Sequence, residues 1–201
     1  MKSIDYLYPA IAAIAVTILS PLYWIVEFSK YFDSSNQNYS VENLFASDMS
    51  LSSFIFLFIG LLTIYIYYGL IRLLHDHYYY KKVDVILMIL ILISIILYFG
   101  TFLLEAISFW SGKDINGSIF SLLWISCLIA FGIMDILLAI VLLKDSKKLS
   151  SLIKGFAIVS LALGIIEITV MFSFIAIFLF PVATALLAMI FLRKPETIEI
   201  V

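Results

Sequence analysis

Four acidic side chains stand in or beside apolar runs, where a carboxylate is out of place: Glu27, Glu105, Asp135 and Glu167. Asp135 is the deepest. In FGIMDILLAIVLLKD, residues 131–145, it precedes Lys144 by two and a half helical turns, about 13 Å along a helix axis. A carboxylate at that depth in a bilayer costs about 2.5–3.5 kcal/mol on insertion scales. It should therefore face a bundle interior or a wet cavity, or be neutralised. One chemistry that follows is proton or cation handling. The other is structural: Asp135 joined to Arg72, or to a hydroxyl of Tyr65, Tyr67 or Tyr68, as polar glue between helices.

Glu27, Glu105 and Glu167 each fall within a turn or two of the end of an apolar run. Together they would form an acidic mouth that concentrates cations; separately they would be three interfacial carboxylates reaching water. Glu167, in GIIEITVMFS, has no basic neighbour.

The remaining chemistry is thin. His75-Asp76-His77 holds the only two histidines. At i, i+2 spacing their rings point to different sides of a helix. A metal site there would need ligands from Asp76, Asp84 or another subunit, and a polar loop is the simpler reading, so no metal is assigned. Two histidines also exclude a bis-histidine haem across two spans and a histidine-box di-iron site. The single cysteine, Cys127, excludes an intrachain disulfide and any CxxC site. No HExxH, GxSxG, phosphate-binding glycine loop or aspartate-rich diphosphate site is present. No catalytic residue or cofactor is expected, and an enzyme is the weakest reading.

The elements that must position these residues follow from composition. The chain has 201 residues, 64% hydrophobic and 13% charged, with mean hydropathy +1.16. Soluble domains run near 45–50% apolar and about 25% charged, so the surrounding solvent must be lipid. A net charge of −2 offers nothing to nucleic acid. Apolar runs long enough to span a bilayer lie at 6–28, 51–74, 85–108 and 119–143. The last run, 149–192, would reach about 66 Å as one helix, so it divides into spans at 150–170 and 174–192 with a turn near Met171–Phe174. The first run is too long for the apolar core of a signal peptide and reads as a retained span. The expected fold is all-α: a single transmembrane domain, a six-helix bundle built as three helical hairpins.

Charge orients it. With both termini cytoplasmic, Lys2, Arg72, Lys81, Lys82, Lys144, Lys147, Lys148, Lys154, Arg193 and Lys194 lie inside, and only Lys30 and Lys113 outside. Tyr6, Tyr8 and Tyr78–Tyr80 would mark the inner interface, and Tyr23, Trp24, Phe109 and Trp110 the outer. Short loops and this bias suit a prokaryotic cytoplasmic membrane. The polar outer loop, 29–50, is the only sizeable soluble piece; Asn38 and Asn116 sit in N-glycosylation patterns that matter only in a eukaryotic host.

Pro21 and Pro181 fall within spans and should kink them, freeing the carbonyls of Thr17 and Ile177. Small residues at Ala10, Ala12, Ala13 and Ala15, and the pairs Ser160/Gly164 and Thr184/Ala188, predict close helix contacts. A faint echo links LLHD (73–76) with LLKD (142–145), and Glu27 with Glu105, as in a duplicated hairpin. Two functional readings result. One is a small channel or transporter for protons, cations or a small solute. The other is an accessory, sensor or scaffold subunit that binds a partner membrane protein or lipid. Homo-oligomers suit either.

Overall fold

A computed structural model of the chain describes residues 6–33, 49–111, 117–170 and 172–193, without the side chains of 30–33, 117, 146 and 173. The expectations placed on the loop around Asn38, on Asn116, and on Lys2, Lys113, Met171 and Lys194 lie outside the described residues, as does the side chain of Lys30. Among the described residues all regular structure is helical, and six helices are long and apolar enough to cross a membrane. They are α1 (Leu7–Asp33), α2 (Leu51–Tyr78), α3 (Asp84–Ser111), α4 (Gly117–Lys144), α5 (Ser151–Ile168) and α6 (Ser173–Leu192). With little water to satisfy backbone groups, helix is the way an apolar segment closes its own hydrogen bonds.

The ends follow from local chemistry. Ser53 Oγ accepts from the Ser50 amide at 3.1 Å at the start of α2, and Ser150 Oγ accepts from the Ile153 amide at the start of α5. Tyr79, left-handed at φ 50°, stops α2, and the Tyr80 amide bonds back to the Leu74 carbonyl at 3.0 Å. Helix α1 runs on through Asp33, past the expected end at Phe28. The long apolar run breaks between Ile168 and Ser173, where Val170 takes φ 48°.

Each helix packs on the next in chain order, and α6 returns to α1, so the six form a ring. The two most extensive interfaces, α4 with α5 and α1 with α6, join helices that the sequence assigned to different hairpins. Both proline helices stay continuous. Near the prolines, the Thr17 and Thr184 hydroxyls meet at 2.9 Å and tie α1 to α6. The small residues lie where contact is tight: Ala10, Ala13, Ser160, Gly164 and Ala188 are all buried.

One end of the bundle, here termed the base, brings Tyr6 onto Phe191 and holds the α2–α3 and α4–α5 connections. It carries a repeated clamp. Tyr6, just before α1, places its hydroxyl 2.7 Å from Asp76 Oδ2 and 3.5 Å from the Arg72 carbonyl. Tyr80, just before α3, does the same with Asp145 Oδ2 at 3.0 Å and the Val141 carbonyl at 3.1 Å. In both, the carbonyl lies four residues before the aspartate, and these aspartates are those of LLHD and LLKD. The faint echo in the sequence thus has a structural counterpart. Above the clamps the base half is filled by large aliphatic side chains, including Leu70, Leu74, Leu87, Leu138, Leu142 and Ile153, all under 2% exposed.

Candidate functional site: an acidic cavity

The opposite half is hollow. A cavity of about 580 Å³ is lined from all six helices. Along α4 it extends from Phe120 to Asp135, about 22 Å of helix. That is more than half the length of α4, on the side away from the base. Asp135 also lines a small void of about 20 Å³ below it, with Ser160 and Thr184. Below that void the aliphatic base begins.

Two glycines set the floor. A Cβ on Gly132 would stand 2.7 Å from the Gly164 carbonyl oxygen, and one on Gly164 would stand 2.6 Å from that of Gly132. The backbones of α4 and α5 therefore touch there, which only glycine permits. Asp135 and Glu167 each follow their glycine by three residues, on the same helix face. Because α4 and α5 run in opposite directions, the two acids flank the crossing, Asp135 toward the base and Glu167 away from it. Their helical positions differ by about 9 Å along the axis.

Both acids line the cavity and both are buried, at 5% and 8% exposure. Glu167 Oε2 is buried with no hydrogen-bond partner. Arg72 does not neutralise Asp135. Its Nε lies 3.5 Å from Asp76 Oδ2, and its side chain is more than half exposed. Arg72 sits at the base, far enough down α2 that a near carboxylate and open solvent compete better for it than the interior does. Tyr67 lines the cavity beside Asp135, whereas Tyr65 and Tyr68 are exposed on the outside of the bundle. Glu27 and Glu105 line the same cavity nearer the end away from the base. The four carboxylates, which the sequence divides between two sites, thus share one space, and among the described residues no lysine, arginine or histidine lines it.

The histidines go elsewhere. His75 Nε2 lies 2.8 Å from Asp84, and the His77 ring packs on Tyr6 at 5.2 Å between centroids. At the base, Lys82 Nζ donates to Asp145 Oδ2 at 2.6 Å. That bond, then the one from Tyr80, holds the Asp145 carboxyl below its ordinary value. Burial first, then the hydrogen bond from Tyr80 to Asp145, pushes the Tyr80 hydroxyl up to about 12.

The walls are aromatic. Phe56 is a hub, 4.6 Å from Tyr98, 5.1 Å from Tyr23 and 5.5 Å from Trp124 between ring centroids. Trp24 reaches Trp124 across the bundle at 6.4 Å. A π-turn in α3, Ile95–Phe99, turns Tyr98 inward, and Gly60 makes room, since a Cβ there would overlap the Tyr98 ring. Such turns often mark functional positions. The sequence reading misses Phe56, Tyr98 and Trp124 as site residues, and nothing in IILYF announces the π-turn. One signal was available: GIMDI (132–136) and GIIEI (164–168) repeat the pattern G-I-x-acid-I, which pairs the two glycines and the two buried acids. No known family model, curated protein or solved structure matches the chain.

Proposed function

We propose that this polytopic membrane protein moves a cation or a small positively charged solute across the bilayer. The carrying observation is a deep cavity that ends on two buried carboxylates with no basic side chain on its described lining. An intramembrane carboxylate facing a cavity is the usual mark of an ion or proton pathway. The competing reading, an accessory subunit with Asp135 as polar glue, loses its Arg72 contact to Asp76 and keeps only Tyr67, which lines the cavity beside Asp135. Arg72, Lys81, Lys82, Lys144, Lys147, Lys148, Lys154 and Arg193 all belong to the base or its connections, which supports a cytoplasmic base and an outward-facing cavity. Glu27 and Glu105 then act as the acidic mouth, Glu167 as the intermediate site and Asp135 as the floor.

Flux of protons and cations into proteoliposomes, compared with Asp135→Asn, tests this. Wild-type flux that falls at least about tenfold in the variant, as expected when about 1.4 kcal/mol or more of site energy is removed, supports the proposal. No flux from well-folded wild type across a panel of ions and small solutes overturns it.

A further inference from the structure

We infer that the cavity selects an organic monocation with an aromatic or apolar body, held between the buried carboxylates and the aromatic walls. The inference rests on the transport reading for the fate of the ligand and names its chemical class.

Three observations carry it. The first is buried acid with no base beside it. Asp135 and Glu167 are buried on the cavity wall, one Glu167 oxygen has no partner, and no described lining residue is basic. A low-dielectric cleft of one sign draws in the opposite charge. The second is size. About 580 Å³ is the space of a small organic ligand, far more than a bare metal ion fills. An inorganic divalent ion also wants about six to eight oxygens close around it. Among the described residues no group of three or more His, Cys, Asp or Glu side chains is placed to hold one. The third is the wall. The Phe56, Tyr98, Trp124 and Trp24 cluster supplies the ring faces that recognise alkylated and quaternary cations. A pathway for protons alone needs no such wall.

The protein carries its own reporter. Two of its three tryptophans, Trp24 and Trp124, line the cavity, while Trp110 is 86% exposed on the outside. Purified full-length protein is titrated with tetraphenylphosphonium, and binding is read by tryptophan quenching and by equilibrium dialysis. Tetraphenylborate, of the same shape and opposite sign, is the matched control. Saturable phosphonium binding is expected, with no saturable borate binding. Asp135→Asn and Glu167→Gln should each weaken it by about 30-fold or more, the scale for removing one partner of a buried charge contact. Phe56→Leu should weaken it about two- to thirtyfold through lost ring contact. The amide variants replace a buried carboxyl by a group of the same shape, so they are expected to fold, and size-exclusion profiles check this.

No saturable phosphonium binding to wild type overturns the inference. So does equal borate binding, which marks an apolar slot without charge selection, or affinity unchanged in both amide variants. The transport reading fails separately. Asp135-dependent flux of protons or inorganic cations without phosphonium binding keeps transport and removes the organic cation. Charge-selective phosphonium binding with no flux of any solute, phosphonium included, keeps the organic-cation site and removes transport.

Discussion

Asp135 and Tyr80 meet the same problem, a polar group away from water, with opposite solutions. Tyr80 spends its hydroxyl on Asp145 and the Val141 carbonyl, whereas Asp135 keeps its carboxylate on a cavity wall. The Tyr80 clamp has a definite pH signature. Its pKa is raised from 10.0 to about 12 in the folded protein, so folding favours the neutral phenol. Its stabilisation is complete below pH 10.0 and is lost as pH rises through about 12. Tyr80→Phe removes the titrating group. The stability gap between wild type and variant should therefore shrink across that window, as read by thermal unfolding in detergent on either side of it. Asp145 has the opposite sign. Its depressed pKa means that its contribution disappears as pH falls through the folded value, below the ordinary 3.8. Asp135 itself was legible as a site in the sequence because a lone acid in an apolar run is costly wherever it points. Its partnership with Glu167 was not, because two charges on different helices leave no mark on each other's local sequence beyond the shared G-I-x-acid-I pattern.

At the scale of the helix, the α4–α5 crossing governs the site. Gly164→Ala would place a methyl group 2.6 Å from the Gly132 carbonyl oxygen, and backbone on backbone has little room to yield. Overpacking of this kind costs about 1–3 kcal/mol. The expected outcome is a lower unfolding temperature in detergent together with weaker function, since both acids hang from the displaced turns. Gly155→Ala, which meets nothing within 4 Å, should leave function unchanged and keep or slightly raise the unfolding temperature, since alanine is favoured over glycine inside a helix, and is the matched control. The spans could be read from hydropathy because length and apolarity alone define them. Which face of each span turns inward could not. A soluble helix shows its buried side by contrast with a polar one, but α4 meets lipid outside and aliphatic side chains inside. Hydropathy is therefore blind to its rotation, and the Arg72–Asp135 pairing expected from depth alone gave way to Arg72–Asp76. The interfaces of α4 with α5 and α1 with α6 stayed hidden for the same reason.

At the scale of the molecule, the bundle is hollow at one end and solid at the other, and this asymmetry can be probed by labelling. In a Cys127→Ser background, Thr101→Cys lies on the cavity wall and Leu142→Cys in the packed base. A membrane-impermeant thiol reagent should label Thr101→Cys from the face opposite the lysine-rich connections and should label Leu142→Cys slowly from either face. Equal labelling of both positions would mean that the base is not closed. The ring has a further consequence, for how the molecule is made. The seam between α1 and α6 is closed by Thr17 and Thr184, 167 residues apart in the chain. At ordinary synthesis rates of about 5–20 residues per second, the first helix waits on the order of 10 to 30 s for its neighbour to be translated. During that interval the nascent bundle grows from one helix to a five-helix crescent whose small-residue edge on the first helix faces lipid, open to capture by an insertion chaperone or by another unfinished chain.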